Sequence, residues 1–178
     1  MSMATAEERT QAPTTEALII RGGRPEDRAA LHQLVAAVGV FSDEEVTCAR
    51  ELIDEGLDAE AANSAEGYKL LVAELATDGS VVGYVCYGRV PFTASTWDLY
   101  WLATHPAQRR LGVARSLCAT MEQIIRDGGG THVRVETSGL SGYGAARIFY
   151  ERVGYSLAAR LPDFYKAGDD QFLFFKRL

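Results

Sequence analysis

Two strand-like segments joined by a tight turn constrain the fold of this chain most. Residues 68–77 and 81–90 are largely apolar, and Asp78-Gly79 links them. Glycine accepts the positive φ that a two-residue hairpin turn requires, so the segments are predicted to pair as antiparallel strands. A third strand is predicted at residues 96–104, where β-prone and aromatic residues run up to His105-Pro106. The middle of the chain therefore predicts a β-sheet.

Helical patterns flank this sheet region on both sides. Before it, helices are predicted at about residues 25–38 and from Ser42 to about Ala62, where Ser42 and Glu45 form a capping box. Residue periodicity elsewhere predicts helices at 111–126 and 144–153 and strands at 17–21, 131–137, 155–160 and 171–178. The order β-α-α-β-β-β-α-β-α-β-β indicates a mixed α/β fold of α+β type, with a central, mostly antiparallel sheet and helices on both faces.

Length and composition favour one soluble domain. The chain has 178 residues, a net charge of −6 and only 24% charged residues. We expect residues 1–16 to be a disordered tail and residues 17–178 to be the domain. The acidic balance disfavours a nucleic-acid partner, and no apolar run is long enough for a membrane span. Three widely spaced cysteines without zinc-ligand spacing predict reduced thiols, a cytoplasmic location and no metal site.

The segment after the third central strand carries a pattern suited to binding phosphate. Arg109-Arg110-Leu111-Gly112-Val113-Ala114-Arg115 leads from a short loop into a helix. The free N–H groups and the dipole of a helix start stabilise a bound anion. Gly112 lets the backbone approach the ligand, Ala114 keeps the first turn slim, and the arginines add positive charge. The segment predicts a pyrophosphate site, although a motif this short also recurs by chance.

A second motif in the right order makes the pattern more specific. Residues 146–155 read Ala-Arg-Ile-Phe-Tyr-Glu-Arg-Val-Gly-Tyr. With the Arg109-x-x-Gly112-x-Ala114 motif before it, the run from Trp97 to Leu178 resembles the second half of a GNAT superfamily acetyl-CoA-dependent N-acetyltransferase. The predicted element order resembles the GNAT fold over about residues 17–178. The resemblance implies transfer of acetyl from acetyl-CoA to a primary amine, by direct attack in a ternary complex, and a protein that can form a homodimer.

The resemblance also implies a set of cofactor contacts. Tyr143 stands where the family often has an asparagine, so its contact with the pantetheine arm of the cofactor is left open. The full set of expected cofactor-binding residues is Leu102, Ala103, Thr104, Arg109, Arg110, Leu111, Gly112, Val113, Ala114, Arg115, Tyr143, Ala146 and Phe149.

Catalytic roles follow from the chemistry and from the resemblance. An amine must lose a proton before it attacks a thioester, and Asp98 stands where the family often places the acid that serves as base. Glu136 and a water molecule remain alternatives for this role. Tyr150 matches the tyrosine that protonates the leaving thiolate, and a backbone N–H in residues 100–102 is expected to bind the oxyanion. Tyr165, in a predicted loop, is a candidate for lining the acceptor cleft.

Two other functions compete with catalysis of acetyl transfer. A non-catalytic CoA-binding regulatory domain would keep the same cofactor loop and lack turnover. A dinucleotide enzyme would need G-x-G-x-x-G after the first strand, and Arg21-Gly22-Gly23-Arg24-Pro25 does not match it. The acceptor remains open between a small amine, an amino acid, an antibiotic and a peptide N-terminus, because residues 40–66 match no pattern that identifies one.

Overall fold

A computed structural model describes residues 17–109 and 111–178 of the protein. The expected N-terminal tail and Arg110 lie outside the described residues. The helices are α1 Arg28–Ala37, α2 Asp43–Ala61, α3 Val113–Asp127 and α4 Gly144–Arg152. The strands are β1 Leu18–Gly22, β2 Lys69–Leu75, β3 Val81–Arg89, β4 Thr96–Thr104, β5 His132–Ser138, β6 Ser156–Lys166 and β7 Asp169–Arg177.

One seven-stranded sheet organises the described chain, in the order β1-β2-β3-β4-β5-β7-β6. Only the central pair, β4 and β5, is parallel, and every other neighbouring pair is antiparallel. The predicted element order and the mixed, mostly antiparallel sheet are thus confirmed. No helix in the described ranges combines the length and the apolar character needed to cross a membrane.

Helices cover both faces of the sheet, because successive strand residues point to opposite sides. On one face, α3 packs its apolar stripe onto β2 and β3 in a cluster that includes Leu117, Met121 and Val85. On the other face, α1 and α2 pack in a second cluster that includes Leu31 and Ile53. The two hydrophobic clusters thus fix β4 and the start of α3, which carry the predicted site residues.

The parallel pair separates part-way along its length. β4 and β5 pair only from Thr96 opposite His132 to Leu99 opposite Val135. Beyond that point β4 continues beside β3, and β5 continues beside β7. The register between β3 and β4 also shifts here, since Tyr87 is opposite Leu99 while Cys86 is opposite Trp101. Tyr100 is the extra residue of a β-bulge, which bends β4 away from β5.

Strand β6 is longer than the sequence predicts. The pattern indicates a strand ending near Arg160, whereas β6 continues to Lys166 through Pro162. A proline is tolerated on an edge strand because its missing N–H is not needed by a neighbour. Asp163 has a φ of 53°, which marks an irregularity in the strand. Tyr165 therefore lies on a strand and not in the predicted loop.

Candidate active site

A small cavity forms where β4 ends and α3 begins. Its volume is about 290 Å³. Seven of the residues expected to bind the cofactor line it: Thr104, Arg109, Gly112, Val113, Ala114, Arg115 and Phe149. Gln108, Arg152 and Val153 complete the lining. The Arg109-x-x-Gly112-x-Ala114 motif and the second motif, on α4, thus line the same cavity.

The first turn of α3 faces this cavity with unused backbone donors. Gly112 precedes the helix with a φ of 79°, in the left-handed region that favours glycine. The first helical hydrogen bond runs from Ser116 N to Gly112 O at 2.9 Å, so the amides of residues 113–115 precede it. A Cβ on Gly112 would meet no atom within 4 Å, which leaves space for a ligand beside the backbone.

The small cavity is electropositive. Arg109, Arg115 and Arg152 line it, and its described lining contains no carboxylate. One guanidinium nitrogen of Arg109 also donates a hydrogen bond of 3.1 Å to the carbonyl of Val38. Arginine side chains, free amides and a helix N-terminus together favour a phosphate group. The arrangement fits the predicted pyrophosphate site.

A larger cavity, of about 740 Å³, opens where β4 and β5 separate. Its floor consists of residues 98–101 of β4 and residues Arg134 and 136–138 of β5. Residues at the start of α2, in the segment before α4 and in the β6–β7 hairpin form the walls: Val40, Phe41, Ser42, Glu44, Glu45, Leu140, Tyr143, Tyr165, Lys166 and Asp169. The candidate role of Tyr165 in lining a cleft fits this position.

Two carboxylates of the floor share one guanidinium. Asp98 accepts hydrogen bonds at both oxygens from Arg134, at 2.7 and 2.8 Å, and its side chain is buried. Arg134 Nη1 lies 3.3 Å from Glu136 Oε1, and Gln171 donates to Glu136 Oε2 at 2.8 Å. The Asp98 carboxylate raises the pKa of Arg134 above its usual value. Both oxygens of Asp98 are therefore paired with Arg134, while the side chain of Glu136 is more exposed.

One hydrogen bond joins distant parts of the chain across this cavity. Tyr143 donates to Glu45 Oε1 at 2.5 Å, and Ser42 N donates to Glu45 Oε2 at 2.7 Å. Burial and the Glu45 carboxylate raise the pKa of Tyr143 well above its usual range. The Phe41 ring lies 6.4 Å from Tyr143 and 5.3 Å from Trp101. Tyr143 thus belongs to an aromatic wall of the larger cavity and not to the lining of the small one.

Tyr150 lies in the core beneath α4. Its side chain is 6% exposed and packs against Tyr155 and Phe174 with ring centroids 5.8 Å apart. Burial raises its pKa well above the usual range, so the hydroxyl is protonated at neutral pH. Tyr150 lines neither of the two cavities. The role of its hydroxyl as proton donor stays a prediction.

The family model described as an acetyltransferase (GNAT) domain matches residues 66–157. This chain belongs to the GNAT acetyltransferase family. A solved protein from Desulfovibrio desulfuricans, assigned to the same family, is 38% identical, with a TM-score of 0.82 over 90% of this chain and 99% of that one. A comparison with curated protein sequences finds no match.

Two more distant structures share the fold. PaiA N-acetyltransferase from Thermoplasma acidophilum, solved with coenzyme A, is 19% identical with a TM-score of 0.70, and the match covers 91% of this chain and 99% of PaiA. YncA from Salmonella typhimurium, solved with acetyl-CoA, is 20% identical with a TM-score of 0.70, covering 91% and 94%. Both confirm the GNAT fold expected from the sequence.

The remaining predicted cofactor-binding residues that the structure describes lie outside the small cavity. Ala103 is buried against the α1–α2 core, Leu102 and Ala146 pack on the α3 core, and Leu111 is 42% exposed. Their cofactor contacts stay predictions. The sequence did not single out Arg134 as a site residue, and it indicated Glu45 only as part of a helix cap. The alternation of residues 131–137 already placed Arg134 on the same strand face as Glu136, which was the available signal.

Proposed function

We propose that this chain transfers the acetyl group of acetyl-CoA to a primary amine, with both substrates bound at once. The observation that carries the proposal is a pair of cavities of opposite character along β4. The small cavity has three arginines, and the larger one has five carboxylates against one arginine and one lysine. A polyphosphate suits the first and an amine suits the second.

The small cavity is the proposed site for the phosphates of acetyl-CoA. Amides 113–115 and the arginine side chains would hold the pyrophosphate at the start of α3. Thr104 lines the small cavity and Trp101 the larger one, three residues apart on β4. At about 3.3 Å per strand residue, this separation is about 10 Å, which the extended arm of the cofactor spans. The related PaiA and YncA structures contain coenzyme A and acetyl-CoA, which supports this placement.

The reaction is a single acyl transfer. The neutral amine nitrogen forms a bond to the acetyl carbon, the C–S bond of the thioester breaks, and one proton leaves the nitrogen. The departing thiolate gains a proton and is released as coenzyme A. The bulge at Tyr100 frees a backbone N–H from regular pairing next to the larger cavity, so an amide of residues 100–102 is the proposed donor to the oxyanion.

Glu136 is the proposed group that takes the proton, directly or through one water molecule. Both oxygens of Asp98 already accept charged hydrogen bonds from Arg134, whereas the Glu136 side chain is 40% exposed and holds one short bond. Asp98 then serves to hold Arg134, which in turn orients Glu136. The assignment of the base to Asp98 stays the competing prediction, and paired variants of the two acids distinguish them.

A thiol-release assay with acetyl-CoA and a panel of primary amines, amino acids and peptides tests the proposal. We expect amine-dependent release of coenzyme A with an equal amount of N-acetylated product. Calorimetry of acetyl-CoA binding is the matched control, since a regulatory domain would bind the cofactor without turnover. Binding without turnover on any amine would contradict the proposed catalytic function.

A further inference from the structure

The larger cavity contains a buried carboxylate that the fold only half satisfies. Asp169 is 5% exposed and lines the cavity at the start of β7. Its Oδ1 accepts hydrogen bonds from Ser138 Oγ at 2.6 Å and from the amide of Gly139 at 3.1 Å. Among residues 17–109 and 111–178, none donates a hydrogen bond to Oδ2. Asp169 Oδ2 is not among the enclosed polar atoms of the described fold, so this oxygen is accessible from the cavity and is suited to a donor from a ligand.

The charge around Asp169 is also unbalanced. Among the described lining residues Arg134 is the single arginine, and it is bound to Asp98 and lies next to Glu136 rather than Asp169. Glu44 adds a further exposed carboxylate at the rim, and Lys166 is the other cationic side chain of the lining. The cavity therefore keeps an excess of negative charge after its internal ion pairs are counted.

The reacting amine cannot supply the missing positive charge. It must be neutral when it attacks the thioester, and the amide that forms from it is neutral as well. A monoamine would therefore leave the Asp169 carboxylate unpaired at the moment of reaction. A second cationic group on the same acceptor stays charged throughout and donates up to three hydrogen bonds.

We infer that the acceptor of this enzyme carries a second positive charge, and that the free oxygen of Asp169 binds it. The inference rests on the proposed function and specifies its substrate class: a primary amine with a further ammonium group, such as a diamine or polyamine. The aromatic wall of Phe41, Trp101, Tyr143 and Tyr165 supports the same class, since aromatic faces attract organic cations. An acceptor with a carboxylate next to its amine is disfavoured, because Arg134 is already paired and Lys166 is the other cationic side chain of the described lining.

A matched series of acceptors tests the charge requirement. Thiol release is measured with 1,4-diaminobutane, n-butylamine and 4-aminobutanoate, which share a chain length and differ in the distal group. We expect kcat/KM for the diamine to exceed that for the monoamine by about 10- to 100-fold, the range of a charge-assisted hydrogen bond, with the amino acid lowest. Longer diamines and a polyamine then locate the preferred spacing.

Asp169→Asn tests the residue. The asparagine oxygen can still accept from Ser138 and Gly139, so only the charge and the free acceptor are lost. We expect the preference for the diamine over the monoamine to fall to about threefold or less. Asp170→Asn is the matched control, because Asp170 is the adjacent residue, binds Arg160 instead and does not line the cavity. Melting temperature and acetyl-CoA binding are recorded for both variants.

Each outcome decides the inference. Equal or better turnover of the monoamine or the amino acid, while amines are acetylated, overturns it and leaves the proposed function intact. An unchanged diamine preference in a folded Asp169→Asn overturns the assignment to Asp169. If no acceptor is turned over, the proposed function fails, and calorimetry of the same three compounds decides the inference: tighter binding of the diamine supports it and equal binding overturns it. If Asp169→Asn does not fold, the wild-type series decides.

Discussion

Gly112→Asp is the substitution that tests the phosphate site most directly. Gly112 precedes α3 with a φ of 79°, and a side chain there would project into open space beside the small cavity. An aspartate adds bulk and a negative charge where three arginines and the first amides of α3 line the proposed phosphate site. We expect acetyl-CoA binding to be lost while the fold is kept.

Two effects of different size are expected. The left-handed conformation costs a residue with a side chain about 1–2 kcal/mol, which lowers Tm by about 2–8 °C in a chain of this size. Two like charges about 4 Å apart repel by about 4 kcal/mol at an effective dielectric constant of about 20. Since the cavity is open to solvent, salt reduces the repulsion toward about 2 kcal/mol. The Kd for acetyl-CoA should therefore rise by about 30- to 1,000-fold.

The assay is calorimetry of acetyl-CoA binding at two salt concentrations, together with thermal unfolding. Gly129→Asp is the matched control, because Gly129 follows the other end of α3 with a φ of 81° and equally open space. Both variants should lose a similar amount of stability, and only Gly112→Asp should lose binding. Gly112→Ala separates strain from charge and should bind more tightly than Gly112→Asp.

Normal acetyl-CoA binding by a folded Gly112→Asp would refute the assignment of the small cavity to the phosphates. An equal loss of binding in Gly129→Asp would also refute the reasoning, because it would trace the effect to the stability of α3 and not to the site.

Three further predictions concern proton transfer and ionisation. Glu136→Gln should lower kcat by about 10²–10⁴-fold with little change in cofactor Kd, and Asp98→Asn should lower it less. Tyr150→Phe should lower kcat by about 10–1,000-fold if its hydroxyl protonates the thiolate, with Tm nearly unchanged. Burial raises the pKa of Cys86 and Cys118 from 9.0 to about 12. Because the unfolded thiols ionise first, the free energy of unfolding should fall as the pH rises from about 9 toward about 12.

Each of these predictions has its own control. A larger loss in Asp98→Asn than in Glu136→Gln, with acetyl-CoA binding intact, would return the base to Asp98. Unchanged turnover with a shifted Tm in Tyr150→Phe would show a purely structural tyrosine. Urea unfolding at pH 8, 9 and 10 measures the thiol effect, and Cys118→Ala should reduce its slope. An identical slope in that variant would contradict the ionisation of Cys118 as a cause.

Local patterns predicted the elements of this fold well. Asp78-Gly79 lies in the turn between β2 and β3, and Gly79 has a φ of 74°, although the connection spans residues 76–80 and is longer than the two-residue turn expected. The capping box of Ser42 and Glu45 forms at the start of α2. Such features depend on neighbouring residues only, so the sequence carries them directly. The segment Arg109–Arg115 is a local pattern of the same kind, since its glycine and its arginines lie within seven residues, and its binding of pyrophosphate stays a prediction.

Contacts between distant residues were not predictable in the same way. Asp98 and Arg134 meet because β4 and β5 pair in parallel with these residues opposite each other, and a parallel register leaves no local mark. Glu45 and Tyr143 are 98 residues apart in the chain. The predicted length of β6 was wrong. Pro162 would end most strands, but an edge strand such as β6 tolerates it. The larger cavity is lined by residues that are distant in the sequence, so the charge distribution of the proposed acceptor site could be described only from the structure.

The early end of the β4–β5 pairing has a mechanical consequence. Four residue pairs, Thr96 to Leu99 with their partners, form the strand pairing between the four-stranded part of the sheet and the three-stranded part. The two parts of the sheet thus separate beyond Leu99, and the larger cavity lies between them. A cofactor that contacts both parts of the sheet would stabilise the folded state by mass action. Acetyl-CoA at concentrations above its Kd would then raise the Tm of the protein as well as support turnover.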